Sequence, residues 1–500
     1  MTSKTCCEGT DSGLETAARV RTFARAARQK ASLSRGVTLL SILQVTILVY
    51  DLITPTHTFA ATLTVCANGC NSTTIAGATT AASNGDTINV LYAVDNESGI
   101  IVSKSLTIQG QGANNTVVDG GGNATVFNVN PSAHPQPGVS VIIQNITIRN
   151  GSGTYGGGIY NNGALTISNS TISGNSATYS GGIFNDSVGT LTIVSSTISG
   201  NAATVGGGGI YNNAGILNIA NSTISGNSAS QKGGGVYNYQ GTETISNATI
   251  VNNSSPSIGG LYNVIGTGDY TRVKNSIVGI NSGGDCGTAG TITATGANLD
   301  TDGSCGTSDF IQVTPAQLNL GSLALNPPGT TDTAALMPGS VAIDAVTDCT
   351  DAFGSPVTTD QRGVTRPQGP ACDIGAYELQ VPSFFGGEIL VGSGWYYLPF
   401  PNGQPPNYFG YYYYNSFPWL YHADMEWEYF IPGSTGNGAY LYDNLLGQWF
   451  YTDPLHFPFL YNFSAAAWYW YEPAQSNPGH YTSNPRWFAN MSTGTWIHSP

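Results

Sequence analysis

Residues 165–227 read LTISNSTISGNSATYSGGIFNDSVGTLTIVSSTISGNAATVGGGGIYNNAGILNIANSTISGN, and a single period runs through them. Ser-Thr-Ile puts Ile172, Ile198 and Ile224 26 residues apart, and Ala-Thr-Ile carries the series to Ile250. Asn175, Asn201, Asn227 and Asn253 follow in the same register. A second element, Gly-Gly-aliphatic-aromatic-Asn, recurs from Gly157 to Asn161, Gly181 to Asn185, Gly208 to Asn212, Gly234 to Asn238 and Gly259 to Asn263. A third, Leu165-Thr-Ile167, returns as Leu191-Thr-Ile193 and Leu217-Asn-Ile219. Each unit thus holds three short alternating segments punctuated by Gly, Asn and Ser, with no helical period. That pattern predicts an all-β solenoid with three strands per coil of ~26 residues. Ile172 points inward while Thr171 and Ser173 point outward. Stacked coils make Ile172, Ile198, Ile224 and Ile250 one column, and the corner asparagines form an amide ladder. From residue 61 to 310 the period predicts about ten coils, a parallel rod of about 45–50 Å.

Composition agrees. Only 9% of the 500 residues are charged, against about a quarter in an average soluble domain, and 65 are glycine. Seven of the 15 basic residues precede residue 61, so a product starting at Ala61 has eight basic and 25 acidic residues and a net charge of −17. Such a chain is no nucleic-acid binder, which needs clustered cations. Gly151-Ser-Gly-Thr-Tyr-Gly156 matches a dinucleotide fingerprint, but no helix pattern follows it.

The run Val37 to Ile53 is apolar, is preceded by Arg25, Arg28, Lys30 and Arg35, and is followed by Thr58-Phe-Ala60. This reads as a long basic n-region and signal peptide over 1–60. Seventeen residues are short for a ~30 Å hydrocarbon core, and no later segment spans a bilayer. Cys6 and Cys7 stay outside the mature fold. The other six cysteines fall into sequence-near pairs, Cys66/Cys70, Cys286/Cys305 and Cys349/Cys372, which an exported chain uses as disulfides rather than zinc ligands.

Beyond the repeats stand Gly296-Ala-Asn-Leu-Asp-Thr-Asp-Gly-Ser-Cys-Gly306, Leu336-Met-Pro-Gly-Ser-Val-Ala-Ile-Asp344, Asp360-Gln-Arg-Gly-Val-Thr-Arg-Pro367 and Cys372-Asp-Ile-Gly-Ala-Tyr-Glu378. With the Gly-Gly-aliphatic-aromatic-Asn repeats, residues 61–380 resemble secreted right-handed parallel β-helix proteins of the choice-of-anchor type, and more loosely the repeats of polymorphic outer-membrane proteins. The resemblance implies a β-helix over 61–310, a closing cap over 311–380 and a C-terminal attachment module over 381–500. Val341 departs from the proline usual there. Asp360, Arg362, Arg366, Asp373 and Glu378 form the densest charge cluster of the mature chain. They read as an ion-pair network closing the last coil, stapled by Cys349 and Cys372.

The resemblance also brings in pectate lyases and polygalacturonases. Glycoside hydrolysis needs two carboxylates ~5–9.5 Å apart, yet between Ile143 and Asn263 the acids are Asp186 and Glu243, two coils apart on different strands. Asp285, Asp300 and Asp302 offer calcium ligands without a close lysine or arginine. No cofactor is expected and no catalytic residue is assigned. The Thr-x-Ser array (Thr171/Ser173, Thr197/Ser199, Thr223/Ser225) resembles the hydroxyl ladders of ice-binding solenoids, which need a flat open face.

Residues 381–500 differ in kind, holding all eight tryptophans and 35 of the 52 aromatics. Phe417-Pro-Trp-Leu-Tyr421 returns as Phe457-Pro-Phe-Leu-Tyr461, predicting short β-hairpins with an aromatic core. Surplus rings are candidates to stack on sugars: Trp419, Trp427, Trp449, Trp468, Trp470 and Trp496. The tail loosely resembles choline- and cell-wall-binding repeats. The expectation is an extracellular or bacterial cell-surface protein, adhesin-like and non-catalytic, whose partner is a polysaccharide or envelope component. A polyuronide lyase or hydrolase is the first alternative and an ice- or surface-binding solenoid the second.

Overall fold

Strand Thr171–Ser173 pairs in parallel with Thr197–Ser199, that with Thr223–Ser225, and that with Thr249–Val251, setting Ile172, Ile198, Ile224 and Ile250 side by side as the 26-residue period requires. The computed structural model describes residues 60–500, apart from 132–134, 265–269, 289–291, 307–308, 338, 381–388, 393–394, 400–407, 417–418, 431–438, 453–455, 473, 475–480, 484 and 500. The signal-peptide region lies outside the described residues.

The repeats wind into a parallel β-solenoid of about nine turns rather than ten. Three parallel sheets run its length. Sheet A contains Ala164–Ser168 and Thr190–Val194, sheet B contains Thr171–Ser173 and Thr197–Ser199, and sheet C contains Ile159–Asn161 and Ile183–Asn185. The middle coils add a short fourth sheet that includes Ser152–Tyr155 and Ser176–Tyr179. Ile172, Ile183, Leu191 and Ile193 are among the fully buried side chains of one continuous aliphatic interior. A helix, Ile75–Ala81, adds Ile75 and Ala78 to it near the N-terminal coils. Thr74 caps this helix, and the Glu97 carboxylate accepts from the amides of Ile75 and Ala76 at 2.7 and 2.9 Å.

Two asparagine ladders hold the corners. Asn175, Asn201, Asn227 and Asn253 each donate from Nδ2 to the next Oδ1 at 2.9–3.1 Å, and the ladder ends on Asn281. Asn161, Asn185, Asn212 and Asn238 do the same at 2.7–2.9 Å in a ladder that ends on Asn263 Oδ1. Inside the rod, where water does not reach, each donating amide satisfies the next asparagine's carbonyl and a backbone carbonyl at once. The Gly-Gly pair has a steric cause: a Cβ on Gly182 would strike the carbonyl oxygen of Gly209 in the next coil.

The segment after the last coil does not simply close the rod's end. It returns along the outer face of sheet B. There Thr197 Oγ1 donates to the carbonyl of Asp332, Thr223 Oγ1 donates to Gln361 Oε1 at 2.6 Å, and Thr249 Oγ1 accepts from the Ala376 amide at 3.0 Å. Val251, Ile277 and Leu299 of the same face join Leu318, Leu336, Val346 and Ile374 in a second core. Thr197, Thr223 and Thr249 are therefore buried, which removes the flat hydroxyl face an ice-binding solenoid needs. Thr223→Val keeps the shape but leaves Gln361 Oε1 without that donor. It should cost about 1–2 kcal/mol, read from the urea midpoint.

The disulfides Cys66–Cys70, Cys286–Cys305 and Cys349–Cys372 are all formed. The C-terminal region is an eleven-stranded antiparallel meander running from Ile389–Gly392 to Trp496–His498. No helix among the described residues is long and apolar enough to cross a membrane.

Candidate functional site

Strand alternation decides which tail rings are core. In Ala439–Asp443, Gln448–Thr452, Phe459–Asn462, Ala467–Tyr471 and Trp487–Asn490, alternate positions turn Leu441, Phe450, Leu460, Tyr469, Tyr471 and Phe488 into one buried cluster. The other positions form the outer face. Tyr440 pairs with Tyr451, Tyr451 with Tyr461 and Tyr461 with Trp468, a stripe of rings crossing four strands. Ring centroids are 5.1 Å apart for Tyr440 and Tyr451 and 5.4 Å for Tyr461 and Trp468. Beside it, Trp449 lies against Tyr442, and Trp496 stands 6.1 Å from Trp470 and 6.5 Å from Trp487. Trp449, Trp468 and Trp470 are half-buried and Trp496 is 49% exposed. The structure thus gathers four of the six candidate tryptophans on one face. Trp419 and Trp427 stand on paired strands, but their side chains lie outside the described residues.

Under that face sits a charged centre that the sequence reading missed. Arg486 donates to Asp443 Oδ2 and Oδ1 at 2.7 and 3.0 Å and to the carbonyl of Met425 at 2.8 Å, and Glu428 Oε1 lies 3.7 Å away. All three side chains are buried. Burial, with the nearby Asp443 charge, drives the Glu428 carboxyl well above its ordinary pKa. A lone arginine among aromatics was the available signal, since a buried guanidinium needs carboxylate partners.

Four of the five cap residues form two buried ion pairs, and the fifth, Asp373, lies beside them. Arg362 lies 2.8 Å from Asp360 with its guanidinium 3.6 Å from the Tyr377 ring, and Arg366 lies 3.1 Å from Glu378. Asp373 Oδ1 accepts from the Asp344 amide at 2.7 Å. Burial and the neighbouring Glu378 charge push the Asp373 carboxyl up to about 7. Each of these side chains bonds internally, with Arg366 Nε the one buried atom among them left without a partner, so the network holds the segment that covers sheet B.

Glu243 projects into the solenoid interior, fully buried in line with Leu217 and Thr271. Asp186 stands on the outside, after the aromatic-Asn corner of sheet C. The protein backbone separates the two, so they do not share a substrate. Near Cys286–Cys305, Asp285 is consumed by the Asn281 and Thr301 amides and the Thr301 hydroxyl, and Asp302 by Ser304 and the Asp285 amide. No three His, Cys, Asp or Glu side chains among the described residues converge on a metal position.

Fold and site together define a parallel β-solenoid protein that carries an antiparallel aromatic sheet at its C-terminus. No family model matches the chain, and no curated protein matches it. Among solved structures it is similar to the pectate lyase Pel9A at 12% identity and TM-score 0.43, over 64% of this chain and 97% of that one. It is also similar to the PL6 family alginate lyase AlyGC at 12% identity and TM-score 0.16, over 58% of this chain and 56% of that one.

Proposed function

We propose that this is an exported, surface-attached β-solenoid protein without catalytic activity. Its C-terminal sheet holds a polysaccharide or another envelope component. The observation that supports this reading is the partly open aromatic face, where strand alternation separates core rings from rings that meet solvent. Indole and phenol faces of this kind suit the apolar faces of sugars, with the polar edges left wet. The choice-of-anchor resemblance assigns attachment to the same region. Three disulfides fit an oxidising compartment. The alternative, a polyuronide lyase or hydrolase, requires clustered carboxylates or an acid site beside a base. The burial of Glu243 and the internal bonding of Asp285 and Asp302 favour the non-catalytic reading.

The test is retention of the purified protein on insoluble polysaccharides and isolated envelopes. Trp468→Ala with Trp470→Ala, in the full chain, should weaken retention at least tenfold. Retention equal to that of the parent sinks the attachment role. Unsaturated products or new reducing ends from any polysaccharide sink the non-catalytic one.

A further inference from the structure

In sheet C, one outward position lies between the inward aliphatic and the inward asparagine of each strand. Five successive coils fill it with a ring: Tyr160, Phe184, Tyr211, Tyr237 and Tyr262. Neighbouring centroids are 6.0, 5.3, 4.7 and 5.1 Å apart, which follows from coil stacking at about 4.8 Å. A shorter file runs beside it. Tyr155 stacks on Tyr179 at 5.3 Å with planes 14° apart and touches Phe184 at 5.0 Å. In the preceding coil the position paired with Tyr160 is Asn128, and the side-chain volume falls. At that step the surface opens into a cleft of about 520 Å³ whose lining includes Thr125, Asn128, Thr154, Tyr155, Tyr160 and Asp186. That volume lies within the range of small-ligand sites, about 300–1,000 Å³.

The polar groups of the cleft are fixed in advance. Asp186 Oδ2 accepts from the Tyr160 hydroxyl at 2.5 Å, and Oδ1 accepts from the Ser187 amide at 2.8 Å and from Asn213 Nδ2 at 3.0 Å. An ionised carboxylate has about four acceptor sites, so this one keeps capacity for a ligand hydroxyl. Tyr155, 47% exposed, supplies an apolar wall beside it. None of the lining residues among the described residues is basic. Among nearby cations, Arg149 is paired with Asp119 at 2.8 Å, and Lys232 lies over the Tyr262 ring at the far end of the file. A uronate or phosphate entering here would meet the Asp186 charge with no cation among the described lining residues to offset it.

We propose that this cleft is a binding site for a neutral pyranose chain, one sugar lying on Tyr155 and donating a hydroxyl to Asp186. The site is separate from the C-terminal sheet and does not depend on what that sheet holds. The test is calorimetric titration of the purified protein with β-1,4-linked gluco-, manno- and galacto-hexaoses and with an oligogalacturonate of equal length.

At least one neutral hexaose should bind saturably, and the oligogalacturonate should not. Tyr155→Ala should lower the affinity at least tenfold and Tyr155→Phe should preserve it. Asp186→Asn, which keeps shape and fold, should lower it about tenfold. Trp468→Ala with Trp470→Ala should leave it unchanged. The proposal is overturned if no neutral hexaose binds, if the uronate binds equally well, or if Tyr155→Ala and Asp186→Asn match the parent. If the tail variant abolishes binding while the cleft variants do not, the glycan sits on the C-terminal sheet, and only the earlier reading survives.

Discussion

Arg366→Ala is expected to lower the unfolding free energy by about 3–5 kcal/mol, the usual loss when one partner of a buried ion pair is removed. The guanidinium is fully buried and bonds in three directions: to Glu378 Oε2 at 3.1 Å, to the Asp373 carbonyl at 2.7 Å and to the Gly375 carbonyl at 2.6 Å. The last two fix the turn that docks on the solenoid, where the Gly375 amide donates to the Asn275 carbonyl and the Ala376 amide to Thr249. Alanine leaves the Glu378 and Asp373 carboxyls side by side without their cation. Burial already raises both pKa values, and without Arg366 they rise further. Carboxyls with folded pKa values above their unfolded ones cost stability increasingly as pH rises between the two. The deficit of the variant should therefore be larger at pH 8 than at pH 5 in urea titrations, and Arg366→Lys should recover part of it. An equal deficit at both pH values would assign the loss to the two carbonyl bonds alone. Loss of docking should also speed amide exchange at Thr197 and Thr223, beneath the covering segment.

What the sequence made legible is what repetition enforces. Parallel stacking sets each residue beside its counterpart one coil on, so the Ile172 column and both asparagine ladders follow from the period alone. Where coil length varies, the period misleads. Ile148 to Ile172 spans 24 residues and Ile250 to Val278 spans 28, and a uniform 26 overcounts the turns. The return of residues 331–378 over sheet B has no periodic signature. Its contacts join residues more than a hundred positions apart, such as Thr223 and Gln361, and the covered threonines look solvated in sequence. The aromatic slot of sheet C was legible as the fourth position of the recurring Gly-Gly-aliphatic-aromatic-Asn element. The cleft beside it arises only because Asn128 interrupts the file one coil before Tyr160, and that comparison needs the register. In the tail, alternation separates Tyr469 and Tyr471 from Trp468 and Trp470 once strands are assumed, but it does not show that Arg486 meets Asp443 across 43 residues.

Glu243 breaks the solenoid's own rule, and replacing it should stabilise the protein. Its position faces Leu217 in one coil and Thr271 in the next, inside the aliphatic core. Thr271 Oγ1 reaches its Oε2 at 3.3 Å, while Oε1 has no partner among the described residues. Burial raises the carboxyl pKa from 4.5 to about 8. Below pH 4.5 both folded and unfolded states carry the proton and the charge costs nothing. Between 4.5 and 8 the unfolded state releases a proton that the folded state keeps, so stability falls by about 1.4 kcal/mol per pH unit. At pH 7 the penalty is about 3 kcal/mol, and it levels off above pH 8. Glu243→Leu extends the Leu165, Leu191 and Leu217 column, so it should gain about 3 kcal/mol at pH 7 and more at pH 8.5, with little gain at pH 4.5. Urea midpoints of parent and variant at the three pH values measure this directly. Glu243→Gln separates the causes: it removes the titration but keeps a buried polar group, so it should flatten the pH dependence while gaining less. A leucine gain that does not change with pH would mean that Glu243 titrates alike in the folded and unfolded states, and would place the cost in the unpaired oxygen and the packing around it.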